Sequence, residues 1–221
     1  NVIVTVNPTP SLRSTLTPAA VCSDAAFTYT PTSATPGATF AWTRATVAGI
    51  SNGAGSGSGT SLNETLVNVT SSPINVVYTY TTTANGCSST DNVTVRVDPV
   101  PSITDKAPGN SAVDIAYDIC SGQSFSFDPQ DVIDGIVPAG ATYSWVFINE
   151  NGRLSGSSNG SGTSISGTIS NSDTQRRNVD YIVTPTYNGC NGAPFTIRVR
   201  VQPEPNVALI TSPAAVCNGA K

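Results

Sequence analysis

The sequence predicts an all-β protein made of tandem β-sandwich domains, and three observations lead there. Apolar and polar residues alternate with a period of two in many short runs, and no segment keeps a 3.6-residue period. Between those runs lie turns rich in Gly, Pro, Ser, Thr and Asn. Residues 37–87 match residues 140–190 without a gap at an offset of 103, and 21 of the 51 aligned positions are identical. The chain therefore holds two copies of one module.

Taken in order, Val2-Ile3-Val4-Thr5-Val6 followed by Pro8-Thr9-Pro10 repeats Val93–Val97 followed by Pro99-Val100-Pro101. Residues 1–10 thus read as the last strand of a preceding repeat. Residues 11–101 and 102–205 are the two full units. Residues 206–221 start a following one, because Ser212–Cys217 repeats Thr17–Cys22. The first core strand is expected to begin at Cys22 and carry Phe27 and Tyr29, with Cys120, Phe125 and Phe127 as counterparts. Phe40 and Trp42 share a strand face, as do Tyr143, Trp145 and Phe147. Gly53–Gly59 and Gly156–Gly162 read as flexible connections between two middle strands, or as tip loops able to touch a glycan. Val76, Tyr78 and Tyr80 alternate, like Val179, Tyr181 and Val183. Asn85-Gly86 and Asn188-Gly189 then supply the positive-φ residues of a tight hairpin into the last strand. Phe27, Trp42, Tyr78, Phe125, Trp145 and Tyr181 are the expected core aromatics. Six or seven strands, one Trp in an early-middle strand and a cysteine pair describe an immunoglobulin-like sandwich.

The five cysteines fall at matching places. Cys22 is expected to pair with Cys87 and Cys120 with Cys190, tying the first core strand to the hairpin within each unit. Cys217 would find its partner beyond the chain. Buried free thiols are the alternative. Disulfides imply an oxidising, extracellular compartment. A metal centre lacks both a C-x-x-C pair and any histidine.

Chemistry is scarce. Without histidine the usual base for a Ser or Cys nucleophile is missing. No acidic residue recurs between the units either: Glu64 aligns with Gly167, Asp24 with Gly122 and Asp98 with Gln202. No cofactor and no enzymatic activity are expected. One local acidic cluster, Asp128, Asp131 and Asp134 beside Gly135, with Asp114 and Asp118 upstream, offers calcium candidates on a turn enlarged in the second unit; a solvated acidic turn is the plainer reading. Asn63, Asn68, Asn92 and Asn159 open formal glycosylation sequons, read here as chance matches. A net charge of −4 with no basic stripe argues against nucleic acid. No apolar run approaches the roughly 20 residues that span a bilayer.

The pattern V-C-S, F-x-[YF], G-A-T-[FY]-x-W, N-G-C and V-x-V-x-P-x-P resembles the PKD-like, immunoglobulin-like repeats of very large Bacteroidota surface proteins. These include adhesins of gliding bacteria exported by type IX secretion. Trp42 is followed by Thr43-Arg44 and Trp145 by Val146-Phe147, so the Trp-Asp-Phe-Gly-Asp-Gly run of true PKD domains is absent. The resemblance implies a non-enzymatic, cell-surface spacer or adhesion segment. Its partners would be neighbouring repeats, surface glycans or other surface proteins. A carbohydrate-binding accessory module of a secreted hydrolase, or a filament subunit polymerising through Val2–Val6, are the rival expectations.

Overall fold

The computed structural model describes residues 1–4, 6–104, 115–149 and 152–205. The expected start of a following repeat, Cys217 and Asp114 lie outside the described residues. Each unit is an immunoglobulin-like sandwich with its own core, one centred on Tyr78 and the other on Tyr181.

In the first unit the strands are β1 (Val21–Cys22), β2 (Ala26–Tyr29), β3 (Thr39–Arg44), β4 (Gly55–Ser58), β5 (Leu62–Thr65), β6 (Ile74–Ala84) and β7 (Cys87–Asp98). One sheet runs β1-β7-β6-β3-β4, and β2 pairs with β5 in the facing layer. Alternation decides which side chains meet between the layers. Val76, Tyr78 and Tyr80 of β6 and Val93, Val95 and Val97 of β7 are buried, while Val77 and Arg96 point outward.

The link and the second unit contain β8 (Ser102–Ile103), β9 (Ile115–Cys120), β10 (Gln123–Phe127), β11 (Gly135–Ile136), β12 (Thr142–Asn149), β13 (Leu154–Ser155), β14 (Gly160–Gly162), β15 (Ile165–Asn171), β16 (Arg177–Tyr187), β17 (Cys190–Asn191) and β18 (Phe195–Gln202). The larger sheet repeats the first unit's order as β9-β18-β16-β12-β14, and β10-β15-β13 covers it. Both hairpins turn on two residues of positive φ, Asn85 (51°) with Gly86 (78°) and Asn188 (47°) with Gly189 (82°). That left-handed pair matches the twist of the flanking strands.

Two expectations are corrected. The first cysteine does not open the strand carrying Phe27. Val21 and Cys22 form a separate short strand, parallel to the last strand, with Cys22 opposite Asp98. The chain then reverses through Asp24, at φ 64°, into the other layer; Gly122, at φ 80°, does the same in the second unit. Nor are the Gly/Ser tracts flexible connections, since residues 55–58 and 160–162 are paired edge strands.

Candidate functional site at the repeat junction

Sheet register decides which cysteines can bond. Cys22 and Cys87 stand at opposite ends of the 12-residue β7, about 36 Å apart at ~3.3 Å per residue. A disulfide needs Cα atoms within roughly 7 Å. Cys120, opposite Gln202, is likewise at the far end of β18 from the hairpin of Cys190. The expected pairs Cys22–Cys87 and Cys120–Cys190 are therefore overturned. Cys22 instead bonds Cys190 with Cα atoms 5.6 Å apart, and Cys87 and Cys120 are free thiols. The bond ties the turn at the end of the first unit to the hairpin at the start of the second.

The polypeptide link reinforces the same junction. Pro99 and Pro101 are buried. The Pro101 carbonyl passes so close to Gly192 that a Cβ there would stand 1.9 Å from its oxygen. Ser102 and Ile103 then pair at once with Ile136 and Gly135. Across the junction the Ser71 hydroxyl, from the first unit, donates to Asp131 Oδ2 at 2.5 Å, and the Val137 amide donates to Oδ1. Those bonds, the Ser71 hydroxyl first, hold the Asp131 carboxyl below its ordinary pKa of 3.8.

This geometry disperses the calcium candidates. Asp131 faces the neighbouring unit. Asp134 is buried and accepts the Gln130 amide at 2.6 Å. Asp128 is exposed and accepts from the Gln130 side chain. Among the described residues no three His, Cys, Asp or Glu side chains gather to hold a metal ion. The enlarged acidic turn serves the junction.

A family model for the PKD-like domain matches residues 19–101 and 117–205. The chain belongs to the PKD-like domain family. No curated protein matches it. Among solved structures, a three-immunoglobulin-domain fragment of titin is 12% identical with a TM-score of 0.43, over 89% of this chain and 66% of the fragment. Human CDH23 EC21-23 is 11% identical with a TM-score of 0.40, over 88% of this chain and 69% of the other. The fibronectin(III)-like modules of Clostridium thermocellum CbhA are 9% identical with a TM-score of 0.32, over 88% and 94%.

The two PKD-like units share one polar pin. Asn68 is 3% exposed; its side chain donates to the Ser72 and Val97 carbonyls, and its amide donates to the Ser23 hydroxyl at 2.9 Å. Asn171 does the same with Gln175, Val201 and Ser121. Each pin fixes the loop before the hairpin against the turn after the first cysteine, and in the first unit that loop carries Ser71, which meets Asp131 of the second. Burial also removes Asn68 as a glycan acceptor.

At the sandwich centre the units differ. In the first, the buried Arg44 of β3 reaches Glu64 of β5 through two contacts, 3.1 Å and 2.6 Å, and gives a further hydrogen bond to the Gly53 carbonyl. The Tyr78 hydroxyl donates to the same carboxylate at 2.5 Å, and burial together with that bond pushes its pKa upward. In the second unit Phe147 and Gly167 occupy the places of Arg44 and Glu64. The Tyr181 hydroxyl lies 3.3 Å from where a Cβ on Gly167 would be, with no hydrogen-bond partner among the described residues. This network was hidden in the sequence, because only the fold sets residues 44 and 64 face to face.

Of the expected core aromatics, Phe27, Tyr78, Phe125 and Tyr181 are buried, while Trp42 and Trp145 are half-buried at the core's rim. Each indole covers the glycine paired with it on the edge strand, Gly57 or Gly160. A Cβ would stand 2.9 Å from Trp42 Nε1 or 2.5 Å from Trp145 Cζ2. Replacing either glycine with valine is expected to displace the indole and cost about 1–3 kcal/mol. Ser56→Val, on the exposed side of the same strand, is the control. Denaturant unfolding followed by tryptophan fluorescence checks this, and equal losses at Ser56 and Gly57 would refute it.

Proposed function

We propose that the chain is a non-enzymatic structural segment of an extracellular surface protein. In this reading, PKD-like repeats stack end to end and hold an adhesive region away from the cell. Residues 1–10 would close a preceding repeat and residues 206–221 would open a following one. The observation that carries the proposal is the Cys22–Cys190 bond, which removes the freedom an inter-domain link ordinarily retains. The buried Pro-x-Pro link and the Ser71–Asp131 contact act in the same sense. A disulfide fits an extracellular location. Among the described residues no helix is long and apolar enough to cross a membrane. Export by type IX secretion and a part in gliding adhesion belong to this proposal, as do glycans or surface proteins as partners.

The carbohydrate-module reading needs an aromatic platform. Every aromatic residue in the chain is buried or half-buried, which leaves that reading without its binding face. One observation favours the filament reading: Val2, Ile3, Val4 and Val6 are 74–92% exposed. Such an apolar run is suited to completing another sheet. Small-angle scattering across a concentration series tests both. The oxidised chain should scatter as one stiff, elongated pair of domains, and Cys22→Ser should broaden its distance distribution. An oxidised chain as flexible as the variant would sink the stacked-rod proposal, and growth with concentration in both would favour strand exchange.

A further inference from the structure

The junction's chemistry recurs at the far side of each unit, where its cysteines are unbonded. Cys120 ends β9 opposite Gln202, as Cys22 ends β1 opposite Asp98. Cys87 follows the Asn85-Gly86 turn, as Cys190 follows Asn188-Gly189. Cys120 is exposed and Cys87 half-buried.

A second observation places a repeat's tail beside Cys87. Pro10 is buried, and its carbonyl accepts the Ser89 hydroxyl at 2.5 Å. Ser89 and Gly192 are equivalent positions, and the Pro101 carbonyl packs on Gly192. Asn7 also donates to the Asn85 carbonyl at the hairpin tip. The segment 7–10 therefore approaches the first hairpin as the segment 98–101 approaches the second. In the second case that approach brings Cys22 to Cys190.

We infer that Cys87 and Cys120 are the two reciprocal halves of a disulfide ladder along the stack. The turn cysteine of each PKD-like repeat bonds the hairpin cysteine of the repeat after it. Cys120 takes a hairpin cysteine and Cys87 takes a turn cysteine, each from another PKD-like repeat. The inference rests on the stacked-repeat reading above. Two thiols give up two protons and two electrons to form each bond, and a small-molecule disulfide or a dithiol oxidase accepts them. With oxidised glutathione, one thiolate displaces a glutathione thiolate to give a mixed disulfide, and the second cysteine's thiolate displaces the other. Such a head-to-tail contact is heterologous, joining two different surfaces of the repeat.

The test uses a second copy of the chain as the partner repeat. Cys217→Ser is introduced so that Cys87 and Cys120 are the remaining thiols. The protein is incubated with reduced and oxidised glutathione, quenched in acid and mapped by mass spectrometry. Cys87–Cys120 links between copies should exceed either like-with-like product at least about tenfold, as expected when docking raises effective concentration. Mixing Cys87→Ser with Cys120→Ser copies should yield one dimer and no longer species. Equal yields of all three links, or only glutathione adducts, would overturn the ladder. If the ladder fails while the oxidised chain still scatters as a stiff pair, the structural reading stands alone.

Discussion

Cleaving the Cys22–Cys190 bond should destabilise the weaker unit by about 4–5 kcal/mol and leave the stronger one nearly unchanged. Each unit has its own core, so one can unfold while the other stays folded and anchors its end of the bond. The unfolded unit is then held in a loop on the order of 100 residues, worth about 5 kcal/mol on the chain-entropy model. When the second unit follows, the loop grows towards the full separation of 168 residues. Loop entropy rises only with the logarithm of length, so the second step gains little. For domains of this size ~1 kcal/mol moves the melting temperature by roughly 4–8 °C, and the first transition should fall by well over 10 °C. Calorimetry of the oxidised chain against the same chain fully reduced with a dithiol measures it. Bonds within each unit would instead lower both transitions, and that outcome would refute the inter-unit bond.

Glu64→Gly should cost the first unit about 3–5 kcal/mol, because it leaves a buried guanidinium without its counter-charge. The Arg44 side chain is 1% exposed and that of Glu64 19%, so the guanidinium depends on this carboxylate for its counter-charge. Adding Arg44→Phe copies the residues the second unit carries at these two places, Phe147 and Gly167, and should recover most of the loss. Tyr78 would then lack an acceptor, as Tyr181 does. The pair also sets an acid response. Burial alone would raise the Glu64 pKa, but hydrogen bonds from Arg44 and Tyr78 outweigh it and hold the group below 4.5. A carboxylate whose pKa falls on folding adds stability that is present above its unfolded value and is lost as pH drops below it. Urea unfolding from neutral pH to below 4.5 should show that loss in the first unit, and Arg44→Phe/Glu64→Gly should lack it. An unchanged midpoint for Glu64→Gly would rule out an energetic role for the ion pair.

The long strands were legible because nothing competes with their pattern. Val93, Val95 and Val97 can share a face only in a strand, and Asn-Gly between two such runs admits one kind of turn. The cysteine pairing failed on two residues. Val21 and Cys22 form a strand too short to show any period, and the reversal at Asp24 leaves no trace in composition. Placed in the wrong layer, Cys22 seemed to lie near its own hairpin. A positive-φ signal did exist in the second unit, where Gly122 replaces Asp24. The glycine tracts misled for a related reason. Repeated glycine suggests slack, yet Gly57 and Gly160 are small because an indole lies on them. Calcium was suggested by carboxylates close in sequence, but the backbone turns Asp131 and Asp134 to different partners.

The bridge between Cys22 and Cys190 also decides where tension would travel. A pull entering through residues 10–21 reaches Cys22, crosses the two sulfurs and leaves along the already extended β18. The 168-residue separation, which includes most of both cores, lies in parallel with that route and bears little load. Oxidised, the pair behaves as a short inextensible link. Reduced, the same segment would yield roughly 590 Å of contour at ~3.5 Å per residue, so one redox event changes a stiff tether into a long shock absorber.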